Sequence, residues 1–320
     1  MGSRTPGAGS GPAPGVPPAP PFDDLVARAL AEDLGVEPER LLAGHAGLLA
    51  RDVTTHATAP AGARFSGRVV ARSAGVACGI AVAARAWTLL AEAAGVEAGA
   101  LTVEPLAAEG ERVEPRTPVL AVDGPVGVVL TAERTALNAL MTLSGIASET
   151  ARWVAAAPGV AVCDTRKTLP GLRALSKWAV VCGGGHPHRA GLWDMVLIKD
   201  NHIRMAGGIS AAVDAARATH PRLAVEVEAD TIEQAEEAVR AGVDIVLLDN
   251  MDPATLTRAV EAVRVAAKAT GATVSTEASG GIGFADLAEV ARTGVDRVST
   301  SALTLAPPLD FGFDEVTTGG

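Results

Sequence analysis

The chain has 320 residues, 48% hydrophobic, 20% charged and 3% aromatic, with a formal net charge of −10. That length can bury a barrel-sized core with an appendage. The acidic balance argues against a general nucleic-acid binder, and no uncharged apolar run reaches the roughly 18 residues of a membrane span.

Residues 1–21 hold seven prolines, five glycines and one charge, Arg4, a composition that predicts a disordered tail. It lacks the basic start and apolar run of a secretion signal. A helix is predicted from Asp23 or Asp24, with Val26, Leu30 and Leu34 on one face. Residues 64–82 read as a strand followed by a segment rich in small residues. Between 101 and 130, Pro105, Pro115, Pro118 and Pro125 interrupt β-branched runs, which predicts short strands and turns. A helix is then predicted from Thr131 to about residue 157.

Beyond residue 158 short apolar runs recur, at 160–163, 195–198, 223–227, 245–248, 273–275 and 297–299. Helical stretches lie between most of them. Asp230 with Glu233 resembles a capping box, and Asp252-Pro253 places proline at a first helical position. Strand alternating with helix predicts a parallel sheet, and this many units favour a barrel over an open sheet. Polar residues follow the runs: Asp164-Thr165-Arg166-Lys167, Lys199-Asp200-Asn201-His202, Glu228, Asp249-Asn250, and Glu277 to Gly281. In a barrel these strand ends meet at one mouth, where active sites lie.

Charge concentrates at that mouth. Residues 164–204 carry seven Lys/Arg against three Asp, and three of the six histidines. A charge cluster is ordinarily a solvated face; alternating here with glycines and strand-like runs, it predicts a basic pocket for a small anion. Arg166 and Arg189 offer planar forks for carboxylate or phosphate, and Lys167 and Lys199 offer point charges. One or two of these cations are expected to pair with Asp164, Asp194 or Asp200. Glu228 and Asp249, one strand–helix unit apart, suit Mg²⁺ beside substrate phosphates; a pair of structural salt bridges is the alternative. Ser279-Gly280-Gly281, before a helical run from about Phe284, suits a phosphate at a helix start. His186, His188 and His202 make a poor zinc site, with Pro187 stiffening the loop, and anion contact by His188 is the favoured expectation. The three cysteines, Cys78, Cys163 and Cys182, are too scattered for a disulfide framework, which predicts a cytoplasmic chain.

Several motifs add a resemblance. AERTALN (132–138), LSGIA (143–147), DTRKTLPGLR (164–173), GGGHPHRAGLWD (183–194), LIKDNH (197–202), VEVE (225–228), LLDN (247–250) and EASGGI (277–282) resemble the quinolinate phosphoribosyltransferases, as do EDLG (32–35) and DVTT (52–55). The resemblance spans residues 22 to 313. It implies an incomplete parallel α/β barrel plus an N-terminal α/β sandwich domain. It divides the chain into the tail 1–21, the sandwich 22–140, the barrel 141–302, and a segment 303–320 returning to the first domain.

The same resemblance implies a homodimer with shared sites, in which Arg134 reaches the partner's pocket. Thr165, Arg166, Lys167, His188, Arg189 and Lys199 would bind quinolinate. Lys199, Glu228, Asp249, Ser279, Gly280, Gly281, Thr300, Ser301 and Ala302 would bind phosphoribosyl pyrophosphate, with Glu228 and Asp249 near Mg²⁺. Lys167, Glu228 and Asp249 are the candidates for catalysis. No nucleic acid or membrane partner is expected. Pro187 and Ser301 depart from the family's usual Asn and Gly, which bears on loop rigidity and on room at the phosphate. The readings left open are a related transferase with a different acceptor and a non-catalytic sugar-phosphate-binding barrel. IKDNH and DTRKT argue against the first. Glu228 and Asp249 argue against the second, since added negative charge gains a pure anion binder nothing.

Overall fold

A computed structural model describes residue 13 and residues 15–44 and 47–316. Residues 1–12 and 14 of the proline-rich tail lie outside the described residues. At its described end, the Ala13 N–H donates to the Glu109 carbonyl at 3.0 Å. The chain forms two compact units, one of the residues up to Ser148 with Val181–Gly183 and the chain from Ala306, the other of Glu149–Val180 and Gly184–Leu305.

The first unit carries helices α1 (Asp23–Leu34), α2 (Pro38–Leu42) and α3 (Val53–Thr58), strands β1 (Arg64–Ala71) and β2 (Gly75–Val76), helix α4 (Ile80–Ala93), strands β3 (Thr102–Pro105), β4 (Arg112–Val113) and β5 (Pro118–Pro125), and the start of helix α5 (Val126–Ala156). Helix α1 buries Val26, Leu30 and Leu34 on one stripe and ends at Gly35, whose φ of 60° is left-handed. The last strand of the chain, at Phe311–Glu315, pairs antiparallel with β1, so the sheet order is last strand, β1, β5, β3. Gly67 is required there: a Cβ would sit 2.7 Å from Cε2 of Phe313, whose ring packs on Phe65 and Trp87.

Helix α5 starts five residues earlier than expected, directly after β5. Thr131, the expected start, lies inside the helix, and its hydroxyl donates to the Asp52 carboxylate at 3.0 Å.

The second unit alternates strands and helices: β6 (Ala161–Cys163), α6 (Arg173–Cys182), β7 (Val196–Ile198), α7 (Asp200–Ala206), α8 (Ile209–Thr219), β8 (Val225–Ala229), α9 (Ile232–Ala241), β9 (Ile245–Asp249), α10 (Pro253–Thr270), β10 (Ser275–Ser279), α11 (Leu287–Arg292) and β11 (Arg297–Ser299). The strands β6–β11–β10–β9–β8–β7 form one parallel sheet. Together the parallel sheet and the antiparallel one make the mixed α/β fold expected.

Two local expectations are corrected. The cap of α9 is Thr231, bonded reciprocally to Gln234, one residue beyond the Asp230–Glu233 pairing. Strand β10 begins at Ser275, where Asp296 accepts from both the N–H and the hydroxyl of Thr276, so Glu277 lies within the strand and not after it.

Period-2 alternation positions the site. In β8, Val225, Val227 and Ala229 are fully buried on one face, which puts Glu226 and Glu228 on the other. Glu228 lines a cavity at the C-terminal strand ends, while Glu226 lies deeper and has no exposure. The same alternation in β10 puts Ser279 at the cavity and Glu277 below it.

Candidate active site

The strand ends of the second unit enclose a cavity of about 690 Å³. Thr165, Arg166, Lys167, His188, Arg189, Lys199, Glu228, Asp249, Ser279, Gly280, Gly281, Thr300, Ser301 and Ala302 line it. Every residue assigned to a substrate or to Mg²⁺ in the sequence except Arg134 is therefore gathered at one place. Arg134 lies in the first unit on α5, with an exposed side chain and a long ion pair to Glu133 at 3.9 Å. Asn250, placed at the mouth by the sequence but given no role, also lines the cavity, as do Leu197, Leu247, Ile282 and Ser299, which were not singled out. The alternation of β9 could have flagged Leu247, two residues before Asp249.

Arg166 and Arg189 share this volume without an opposing acid in contact. Burial, and then the charge of Arg166, press the Arg189 guanidinium below its ordinary range. The Arg166 Nε is buried and lacks a hydrogen-bond partner. Two crowded guanidiniums, one with an orphaned donor, suit an anion with more than one acidic group.

The expected acid partners turn elsewhere. Asp164 is fully buried and binds Lys177, whose Nζ donates to its two oxygens at 2.7 and 2.9 Å. Asp164 also accepts the His188 N–H at 2.7 Å, and Lys177 donates to the His188 carbonyl at 2.9 Å. Burial raises the Asp164 carboxyl above its ordinary range, against the pull of Lys177. Asp194 accepts the Ala190 and Gly191 N–H groups at 2.6 and 3.0 Å and so folds the loop after Arg189. These acids shape the loop and leave Arg166, Lys167 and Arg189 for a ligand.

His188 lines the cavity, and its ring also has close neighbours inside the protein. Its Nδ1 accepts the Arg189 N–H at 2.7 Å, and its Nε2 lies 3.2 Å from Glu226 and 3.3 Å from Glu277. Its Nδ1 is thus hydrogen-bonded within the protein, while its Nε2 lies at ion-pair distance from two carboxylates. Burial opposes charge on the ring, and the two carboxylates outweigh it, pushing its pKa up to about 9. The Arg189 N–H acts the other way, since it bonds only a ring with a bare Nδ1. His188, Glu226 and Glu277 also have a cation-site spacing. Arg297, its Nε 3.0 Å from Glu277, already supplies positive charge there. His202 is a helix cap: its Nδ1 accepts the Lys199 N–H at 2.9 Å.

Lys199 forms an ion pair with Glu228. Asp249, on the next strand, is raised by burial and by the neighbouring Glu228 charge, against Lys199 and Lys167. Two mutually repelling, half-buried carboxylates fit a hard divalent cation with oxygen ligands. Asn250 follows Asp249 at a left-handed φ of 53°, donating its amide to Asp249 at 2.5 Å and its N–H to the Ser279 carbonyl at 3.0 Å.

The Ser279-Gly280-Gly281 turn has φ values of 90° and 62° at its glycines. It is a loop and not a helix start, because α11 begins only at Leu287 and is six residues long. Any phosphate there meets turn backbone and not a helix terminus.

Known proteins share this chain's pattern over most of its length. The model of the quinolinate phosphoribosyl transferase N-terminal domain matches residues 52–144, and that of the C-terminal domain matches residues 146–314. A nicotinate-nucleotide pyrophosphorylase (carboxylating) of Mycobacterium leprae is 40% identical over 91% of this chain and 96% of its own. The crystal structure of NadC from Streptococcus pyogenes is 35% identical, covers 92% of this chain and 97% of its own, and superposes with a TM-score of 0.79. A nicotinate-nucleotide pyrophosphorylase structure from Ehrlichia chaffeensis has a TM-score of 0.80 at 30% identity, over 92% of this chain and 99% of its own.

Proposed function

The chain belongs to the quinolinate phosphoribosyltransferase family, and from that premise we propose that it transfers phosphoribosyl from phosphoribosyl pyrophosphate to quinolinate. Loss of CO₂ then gives nicotinate mononucleotide and pyrophosphate, a step of NAD biosynthesis. The observation that carries this reading is one cavity holding Arg166 and Arg189 together with Glu228 and Asp249.

The two guanidinium forks match the two carboxylates of quinolinate, with Lys167 and Lys199 adding positive charge and Thr165 a hydroxyl. The pyridine nitrogen attacks C1 of the ribose: the N–C1 bond forms as the C1–O bond to pyrophosphate breaks. Positive charge builds at C1, and the carboxylates of Glu228 and Asp249 stabilise it. The now cationic ring nitrogen stabilises the carbanion left on the neighbouring ring carbon when its carboxylate departs as CO₂. A proton then takes its place, so no electron-sink cofactor is needed. The glycines of the 279–281 turn let the 5′-phosphate approach backbone, with Thr300, Ser301 and Ala302 alongside. Glu228 and Asp249 would hold Mg²⁺, which when bound neutralises charge on the pyrophosphate.

The reading includes a homodimer in which Arg134 completes the partner's quinolinate pocket. Its support is the resemblance of the AERTALN segment to the family and the exposure of the Arg134 side chain, at 63%. It also includes a cytoplasmic setting, supported by three free, buried cysteines. No helix among the described residues is long and apolar enough to cross a membrane.

The test is pyrophosphate release with quinolinate or nicotinate as acceptor. Release with quinolinate alone, accompanied by CO₂, is expected. Preference for nicotinate would transfer the site to a different acceptor, and no release with either would leave a sugar-phosphate-binding barrel.

A further inference from the structure

Two segments singled out in the sequence, EDLG (32–35) and DVTT (52–55), have no part in the proposed reaction. Each places one carboxylate in the first unit: Asp33 in the last turn of α1 and Asp52 at the start of α3. Arg51 ties the two segments together, its Nε donating to the Leu34 carbonyl and a terminal nitrogen to the Gly35 carbonyl, both at 2.9 Å. Both carboxylates then reach one helix. The Thr131 hydroxyl of α5 donates to Asp52 and the Thr135 hydroxyl to Asp33, each at 3.0 Å.

Residues three and four apart are neighbours on a helix surface, so Thr131, Arg134 and Thr135 share one face of α5. The two threonine positions stand about 6 Å apart along the helix axis, and Arg134 lies between them. Local stability does not account for Asp33, because a negative charge in the last turn of a helix opposes the helix dipole. Nor do the two acids neutralise the arginine. Among the described residues the ion pair of Arg134 is to Glu133 at 3.9 Å, and its side chain stays 63% exposed. Asp33 and Asp52 thus grip the helix on both sides of Arg134 and leave its charge for an anion.

We propose that Asp33 and Asp52 are positioning residues: through Thr135 and Thr131 they fix the rotation and axial position of α5, so that Arg134 is held where a carboxylate of the acceptor in the partner's pocket meets it. EDLG and DVTT then act on the acceptor through Arg134 and not by direct contact. The proposal rests on the reading that Arg134 serves that pocket.

The experiment uses the full-length protein. The changes are made on the threonine side, because Asp52 also caps α3 by accepting the Thr55 N–H at 2.9 Å. Thr131→Val with Thr135→Val removes both hydroxyls at nearly constant volume, and Thr131→Ser with Thr135→Ser keeps them. The valine pair should raise the Kd of quinolinate, by calorimetry, about tenfold. KM for phosphoribosyl pyrophosphate should move less than about twofold. The serine pair should recover most of the loss. In an Arg134→Ala background the valine pair should add less than about twofold to the quinolinate Kd, since hydroxyls that act through Arg134 have nothing left to position. An unchanged Kd in the valine pair, a loss that the serine pair does not recover, or a further loss of about tenfold on top of Arg134→Ala overturns the proposal. If the valine pair fails to fold, Thr131→Val alone is read by the same criteria. A wild-type quinolinate Kd in Arg134→Ala would instead overturn the reading of Arg134, and the proposal with it.

Discussion

Asn250 fills the space that a side chain at Gly280 would need: a Cβ built there lies 2.6 Å from both Cγ and the backbone N of Asn250. One residue thus ties the Asp249 carboxylate to the turn at the end of the neighbouring strand. Gly280→Ala would have to displace Asn250 and adopt a φ near 90°, which for alanine costs about 1–2 kcal/mol. KM for phosphoribosyl pyrophosphate is expected to rise about tenfold or more, with quinolinate affinity little changed. Steady-state kinetics in each substrate, with a thermal melt as control, checks it.

Arg166 and Arg189 crowd each other across the cavity, and a dicarboxylate relieves that crowding. Arg166→Ala and Arg189→Ala should each weaken quinolinate binding by roughly 1.5–3 kcal/mol, the worth of a charge-assisted hydrogen bond. Binding of phosphoribosyl pyrophosphate should weaken far less. Calorimetry with each ligand decides, and an unchanged quinolinate affinity in both variants would move the acceptor elsewhere.

Turnover should require Mg²⁺ or Mn²⁺. Asp249, raised by burial and then by the charge of Glu228, is the motive: a hard cation between the two carboxylates would offset both. Chelation should abolish pyrophosphate release, and readdition of the metal should restore it. Glu228→Gln with Asp249→Asn should shift or abolish the metal dependence; a wild-type metal titration in that double variant would refute the assignment.

The buried pair Asp164–Lys177 supports the loop that carries His188 and Arg189. Lys177→Met leaves a buried carboxylate without its cation, which should destabilise the protein by about 3–5 kcal/mol. Asp164→Asn in the same chain should recover part of the loss. Urea unfolding of both single variants and of the double variant measures the coupling, and additive losses would show that the pair is not a unit.

If Arg134 serves the partner's pocket, inactive Arg134→Ala and inactive Lys167→Ala should complement after subunit exchange. In a mixed dimer one site carries both changes and the other neither. With random exchange about half of the dimers are mixed, so about a quarter of wild-type activity should return. Exchange demonstrated by native mass spectrometry with no recovered activity would place Arg134 in its own subunit's service.

Much of this protein is set by short-range pattern. The alternation of short apolar runs with capped helices prescribes a parallel α/β unit, because parallel neighbours need a crossover and the crossover helix starts at a cap. The polar residues that end those runs reach one mouth for the same reason, so the pattern alone groups Arg166, Lys199, Glu228 and Asp249. Tertiary structure decided what lies one layer below. Glu226 and Glu228 differ by two positions on the same face of β8, and only the register of the sheet makes one a buried carboxylate and the other a cavity wall. The neighbours of the His188 ring are Arg189, Glu226 and Glu277, which come from three separate parts of the second unit. Local sequence carries no trace of that meeting, because charge compensation in a barrel interior runs between strands that are remote along the chain.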